Sequence, residues 1–245
     1  MNLEIEDTFI TVEKQDDNLL YRRFFREEEK NNDNLIVNNS FKEKELAEIL
    51  LLNDDCDILI TPIEPVNIPK PLSSFLLIEF NCPVIIGPGE KKKIYITFPV
   101  EIGVFFKNRE GDYEIIDMFT FSKVKFTLYG SHTHGLICKY WASDVFTNPP
   151  ETDILREGYI ELDIINDSSS MMQIEKTVFN AYGMKIYYGD KRLAMKASLR
   201  IINKLLAETD FSTYPTTSRF KRSMELYTSR KLTFSRTKGI MEFGL

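Results

Sequence analysis

A chain of 245 residues, 43% hydrophobic and 28% charged, has the composition of a folded globular protein rather than a disordered one. Its length is enough for one large or two modest domains with cores of their own. No apolar run approaches the roughly 20 residues of a membrane span, and the acidic start MNLEIEDTFI does not resemble a signal peptide. Three cysteines without a CxxC pair indicate reduced thiols, so we expect a cytoplasmic protein.

The net charge of -6 is unevenly distributed. Residues 211–245 contain seven basic and two acidic side chains, so this tail carries +5 and the preceding residues carry -11. A basic tail on an acidic body could bind a polyanion, or it could dock on its own body or on a neighbouring subunit. Because the basic residues are dilute, we rank nucleic-acid binding below docking.

The amino-terminal part predicts two paired strands, over 3–12 and 18–25, followed by a polar, charge-dense loop over 26–34. A helix is predicted over 40–52, because Ser40 and Glu43 match a capping box. The apolar end of this segment is equally compatible with a strand.

β-branched and alternating patterns predict a series of strands in the middle of the chain. They cover 75–80 with its continuation 83–86, then 93–98, 100–106, 113–121 and 123–129. In KVKFTLY (123–129) the apolar side chains Val124, Phe126 and Leu128 alternate with polar ones, which predicts one face in the core and one in water.

The sequence NPPE (148–151) interrupts the strand pattern and predicts a linker. We therefore expect a β-sandwich-like domain over 1–147 and a second, smaller one over 157–245 that carries the basic C-terminal tail. Strands are predicted over 159–165, 172–179, 184–188 and 193–201, with a short helix near 203–208. The expected fold is mainly β, with β-sandwich-like (immunoglobulin-like) modules and one or two short helices.

The stretch LYGSHTHGLICKYW (128–141) contains both histidines, one cysteine and the only tryptophan. His132 and His134 would face one side of a strand and, with Cys138, would supply three ligands that zinc accepts. The HxH pattern also opens the metal motif of cupins, but that motif needs a further histidine, and the chain has two. Glycines at 130 and 135 bracket SHTH, which predicts a hairpin loop. We interpret the stretch as a hairpin first and a metal site second.

Three acidic side chains interrupt apolar strands: Glu79, Glu101 and Asp117. A buried carboxylate without a partner is costly, so each is expected to face solvent or to pair with a base. Pairing across the sheet, with Lys125 or Lys139 among the candidates, would be structural. If Glu101, Asp117 and Lys125 instead converged in a cleft, they would be candidates for acid–base catalysis. We favour the structural interpretation.

Several segments resemble one archaeal protein family. They include ITPIEPVNIPKP (60–71), PGEKKKIYITFPVEIGVF (88–105) and GLICKYWASDV (135–145). These segments are similar to the family catalogued as domain of unknown function 432, and the similarity is densest between residues 60 and 145. The resemblance implies an archaeal, cytoplasmic protein, and it assigns neither an activity nor catalytic residues.

No complete catalytic constellation is evident, and the chain contains neither a GxGxxG nor a GxxxxGK[ST] loop. We expect a non-catalytic interaction or assembly module, without a cofactor, that binds a protein partner or itself. One alternative is a metal-dependent hydrolase or small-ligand binder that uses the acidic cluster or the His132/His134 loop. Another is a nucleic-acid-binding protein that uses the basic C-terminal tail.

Overall fold

Strands form nearly all of the regular structure in the computed structural model, which describes residues 2–5, 7–15, 18–28, 41–51, 57–69, 71–107, 111–226 and 239–245. The strands are β1 (Asn2–Ile5), β2 (Thr8–Gln15), β3 (Asn18–Glu28), β4 (Phe41–Leu51), β5 (Ile58–Ile63), β6 (Phe75–Ile86), β7 (Lys91–Pro99), β8 (Glu101–Lys107), β9 (Tyr113–Phe119), β10 (Phe126–Tyr129), β11 (Leu136–Ser143), β12 (Glu157–Asn166), β13 (Met172–Asn180), β14 (Tyr187–Gly189), β15 (Arg192–Ile201), β16 (Ala207–Phe211), β17 (Lys221–Arg222) and β18 (Gly239–Met241). The predicted mainly β, sandwich-like fold is confirmed. The immunoglobulin-like assignment stays a prediction.

The strands within the described ranges form four sheets. Their orders are β1-β2-β3-β4, β5-β8-β9, β10-β11-β6-β13 and β17-β14-β15-β12-β7, and the last is extended by β16 on β15 and β18 on β16. Two pairs, β11 with β6 and β12 with β15, are parallel. The described residues contain no helix with the length and hydropathy that a membrane span requires.

Both predicted helices are wrong. The segment predicted as a helix over 40–52 contains strand β4, which pairs along β3. The register places Glu48 opposite Arg22, and the two side chains form an ion pair of 3.3 Å. The segment near 203–208 is a turn, closed by the Leu206 carbonyl, that leads into β16. In the described residues the one helical element is a 3-10 turn, Ala181–Gly183.

The chain divides into two compact units. The first unit comprises Met1–Leu59 and Val104–Asp117, and the second comprises Ile60–Gly103 and Met118–Leu245. This division differs from the predicted one at the linker 148–156, because strands on either side of the linker share sheets. β12 pairs with β7 over nine positions of the register, and β13 pairs with β6.

The first unit contains the antiparallel meander β1 to β4, and the predicted pairing of its amino-terminal strands is confirmed. Ile10, Val12 and Tyr21 are buried on one face, and Phe9 stacks on Phe24 with ring centroids 5.3 Å apart. The alternation of buried and half-buried side chains therefore follows the period of a strand.

The second unit buries its core between two sheets. Its largest fully buried side chains include Leu76, Ile78 and Phe179 of the β10-β11-β6-β13 sheet and Ile96, Ile160 and Leu162 of the β17-β14-β15-β12-β7 sheet. Two polar contacts link β11 to β7: Trp141 Nε1 donates to Thr97 Oγ1 (2.9 Å), and Thr97 N donates to Ser143 Oγ (2.7 Å). The half-buried tryptophan indole thus has a hydrogen-bond partner in the facing sheet.

Candidate functional site

The stretch that contains both histidines is the β10–β11 hairpin, as the bracketing glycines predicted. Residues 130–135 form its loop, and the Gly135 amide donates to the Ser131 carbonyl (2.6 Å). β11 lies next to β6, whereas β10 is the last strand of the sheet order. The hairpin is therefore held through β11, and β10 lies outermost among the described strands of this sheet.

The metal-ligand candidates do not come together. His132 and His134 are exposed in the loop, and His134 Nδ1 is 2.8 Å from Thr133 Oγ1. Cys138 is buried, and burial raises the pKa of its thiol to about 12, which keeps it protonated. Within the residues that the structure describes, no three His, Cys, Asp or Glu side chains form a group suited to a metal ion.

Glu101 is fully buried in the second unit and has three donors around its carboxylate. Lys139 Nζ forms an ion pair with it, and the backbone amides of Asn67 and Ile68 donate at 2.9 and 3.3 Å. Lys139 was one of the partners expected from the sequence for a structural pair. Because a buried carboxylate needs such compensation, these contacts explain why an acid is tolerated in this strand.

Asp117 and Lys125 have different surroundings. Asp117 belongs to the first unit, where it accepts hydrogen bonds from Arg23 Nε (2.5 Å) and Tyr21 Oη (2.7 Å). Desolvation, followed by the charge of Asp117, raises the pKa of Tyr21 and keeps the phenol neutral. Lys125 belongs to the second unit and is exposed next to β10. Arg23 is far from Asp117 in sequence, so no local pattern could have predicted their pairing.

A groove of about 640 Å³ opens beside the hairpin, between the sheet and the carboxyl-terminal residues Glu242 and Phe243. Glu79 lines it and accepts a hydrogen bond of 2.7 Å from Tyr140 Oη, which raises the pKa of Tyr140. Lys176 lies opposite Glu79 in the register of β13 and β6. The groove thus presents carboxylate, ammonium and phenol groups beside apolar side chains, a combination that could bind a small polar ligand.

A buried charge cluster in the second unit escaped the sequence analysis. Glu64 is buried, accepts a hydrogen bond of 3.2 Å from the Leu226 amide, and has a pKa raised to about 7, chiefly by desolvation. Nearby, Glu225 forms an ion pair with Lys185 (2.6 Å) and is bonded by Arg222 Nε (2.6 Å). The sequence feature that could have pointed to Glu64 is an acidic residue between two prolines in an otherwise apolar segment, PIEP.

The apolar face of the hairpin is exposed. Phe126, Leu128 and Ile137 are 36%, 45% and 56% accessible to solvent, although the alternation in KVKFTLY predicted burial of Phe126 and Leu128. Leu128 and Ile137 are directly opposite in the register, and Phe126 is two residues along the same face. We call these three side chains the hairpin patch.

A comparison with protein families covers nearly the whole chain. The family model described as "Protein of unknown function (DUF432)" matches residues 1–243. The chain belongs to this family. No curated protein and no solved structure matches it. The archaeal origin that the resemblance implied stays a prediction.

The basic tail lies partly within the described residues. Lys221 and Arg222 form the exposed strand β17, while Arg230, Lys231, Arg236 and Lys238 lie outside the described residues. At the carboxyl end, Met241 is fully buried and the Phe243 ring packs edge-on against Tyr129 at 5.5 Å. These apolar contacts attach the last residues of the chain to the second unit, and docking or polyanion binding by the basic side chains stays a prediction.

Proposed function

We propose that the protein is a non-catalytic interaction module that binds a protein partner through the hairpin patch. The exposure of Phe126, Leu128 and Ile137 carries this proposal. Single exposed apolar side chains are common on protein surfaces, whereas neighbouring ones on an ordered strand pair mark contact sites. Covering the three side chains would contribute on the order of 3 kcal/mol to binding.

The state of the former catalytic candidates supports a binding role. The carboxylate of Glu101 is engaged by an ammonium and two amides, and that of Asp117 by a guanidinium and a phenol. Carboxylates engaged in this way compensate their charged neighbours within the fold and have less capacity left for a substrate.

Site-specific photo-crosslinking tests the proposal. A photoreactive phenylalanine analogue at Ile137 is expected to give one discrete crosslinked product with a protein of the source cells. The same analogue at Met171, which is 67% exposed on the loop before β13, is the matched control and is expected to give none. The Ile137 product should be lost in Leu128→Asp. Equal labelling from both positions, or a product unaffected by Leu128→Asp, contradicts the proposal.

We also propose a cytoplasmic location. Support comes from the thiols of Cys82, which is exposed, and Cys138, which is buried, since both are free. Fractionation of the source cells tests this: recovery with the cytoplasmic enzymes is expected, and recovery with membranes or the culture medium contradicts it.

A further inference from the structure

The backbone of β10 presents hydrogen-bonding groups on the side away from β11. The Tyr140 amide donates to the Lys125 carbonyl (2.9 Å), so residues 125 and 140 form a hydrogen-bonded pair. In an antiparallel ladder such pairs alternate with non-bonded ones. Thr127 and Tyr129 therefore face β11, whereas the N–H and C=O groups of Phe126 and Leu128 point outward.

No strand in the described part of the chain pairs with this outer edge. An exposed edge of a sheet is a template for an additional strand, and proteins that avoid such pairing cover or twist the edge. Here the exposed apolar side chains Phe126 and Leu128 lie on the same strand as the outward backbone groups. Backbone pairing and apolar contact can thus be made by one extended segment.

The charge of the hairpin differs in sign from that of the whole chain. No aspartate or glutamate occurs between Asp117 and Asp144, although the net charge is -6. Lys123 and Lys125 are exposed immediately before β10, and within the described residues neither forms an ion pair. The basic edge complements a segment with carboxylates.

The side chains at this edge alternate in chemistry. Lys125 and Thr127 lie on one face, and Phe126 and Leu128 lie on the other, since successive side chains of an extended segment point to opposite faces. A strand added to the edge would therefore need acidic or polar side chains on the first face and apolar ones on the second.

We infer that β10 accepts an extended, acidic segment of a partner protein as an additional strand, whose apolar side chains cover Phe126 and Leu128 and whose carboxylates face Lys123 and Lys125. This inference rests on the proposed function and names the chemistry of the partner. Main-chain hydrogen bonds would supply affinity, and the alternate side chains would supply specificity.

A second copy of the chain fits the edge less well. If two β10 strands paired with each other, the lysines of each hairpin would face another hairpin without acidic side chains, which leaves their charges uncompensated. Charge therefore favours a different, acidic occupant.

The test uses the full chain, labelled with ¹⁵N, and three synthetic octapeptides. The first alternates Val and Glu, the second alternates Val and Lys, and the third is the Val/Glu peptide with all of its backbone amides N-methylated, so that neither of its edges can donate. The Val/Glu peptide is expected to shift the amide resonances of Phe126 and Leu128 and to slow their hydrogen exchange. It should bind at least tenfold more tightly than the Val/Lys peptide at low salt, and the N-methylated peptide should bind at least tenfold more weakly than its parent.

Charge-reversal variants localise the effect. Lys123→Glu/Lys125→Glu is expected to reverse the preference between the Val/Glu and Val/Lys peptides. Lys91→Glu/Lys92→Glu makes the same charge change at exposed lysines of β7 and should leave the preference unchanged. An unchanged preference in the first variant overturns the inference.

The remaining outcomes separate this inference from the proposed function. Failure of the Val/Glu peptide to bind, or equal binding of the N-methylated peptide, overturns strand addition. If the Ile137 crosslink still forms in either case, the hairpin patch binds its partner in another way. Sedimentation as a dimer that Leu128→Asp dissociates identifies a second copy as the occupant and also overturns the inference.

Discussion

At the scale of single residues, two buried glutamates of the second unit are compensated differently. Glu101 has the ammonium of Lys139 beside it, whereas Lys185 pairs with Glu225 rather than with Glu64. Desolvation consequently dominates at Glu64 and raises the pKa of its carboxyl to about 7. Burial therefore disfavours the ionised form of Glu64 in the folded chain relative to a carboxylate in water.

This difference predicts a pH dependence of stability. The folded-state pKa of Glu64 lies above its ordinary value of 4.5, so its contribution is complete below about pH 4.5 and is lost as the pH rises through 7. The loss amounts to roughly 3 kcal/mol. Glu64→Gln keeps a hydrogen-bond acceptor for the Leu226 amide without the charge. We expect it to be more stable than the parent at pH 8 and similar at pH 5, measured by urea unfolding.

The exposed Glu151→Gln is the matched control, and its stability should follow that of the parent chain at both pH values. Because the variant and the parent chain differ at one residue, the other titratable groups contribute equally to both free energies of unfolding, and their contributions cancel in the difference. A Glu64→Gln variant that is less stable than the parent at pH 8 would show that Glu64 is ionised and paired in the folded chain.

At the scale of elements, the loop of the hairpin depends on a glycine that the carboxyl-terminal segment approaches. Gly130 has a φ of 102°, and a Cβ there would lie 2.5 Å from the ring of Phe243. Gly130→Ala combines left-handed strain with this clash, whereas Gly89→Ala, at φ 70° with no atom within 4 Å, has the strain alone. We expect Gly89→Ala to cost about 1 kcal/mol and Gly130→Ala to cost at least about 1 kcal/mol more.

Urea unfolding of the two variants measures this difference, and a double variant assigns it. In a Phe243→Ala background the additional cost of Gly130→Ala should disappear, since the ring that the Cβ meets has been removed. An additional cost that persists in that background would show that the loop backbone, rather than Phe243, requires glycine.

The elements also show what a sequence can predict. The strands from β6 to β10 and from β12 to β15 were predicted close to their observed positions, because alternation and β-branched side chains are local properties. β4 was predicted as a helix, because its helical signals are local while its pairing with β3 is not. The KVKFTLY pattern correctly predicted a strand and wrongly predicted burial of Phe126 and Leu128. Alternation shows which side chains share one face of a strand, but it does not show whether another part of the chain packs on that face.

The division into units could not be predicted for a related reason. The NPPE stretch has the composition of a linker, yet β12 after it pairs with β7 before it. Similarly, the acids in apolar strands were recognisable as needing partners, but Arg23 for Asp117 and the amides for Glu101 come from distant segments. A pattern of neighbouring residues cannot predict such pairings, because the partners come together only when the chain folds.

At the scale of the whole molecule, the last described residues connect several parts of the second unit. β18 pairs with β16, and the sulfur of the fully buried Met241 lies 3.4 Å from the Val178 amide of β13. Tyr129 Oη of the hairpin donates to the Gly244 carbonyl (2.8 Å). Removing residues 239–245 would therefore remove the contacts of this segment with β16, with β13 and with the hairpin at once.

We predict that this deletion lowers the melting temperature of the second unit by on the order of 10 °C, since the loss of a buried methionine alone costs about 2–5 kcal/mol. Calorimetry measures the shift, and hydrogen exchange locates it. Protection should fall in β13 and β16 of the second unit and persist at Ile10 and Tyr21 of the first unit, which are buried in a separate meander. As a matched pair, Met241→Ala should reproduce much of the shift and Ile240→Ala, 50% exposed, almost none. Equal loss of protection in both units would mean that they unfold as one.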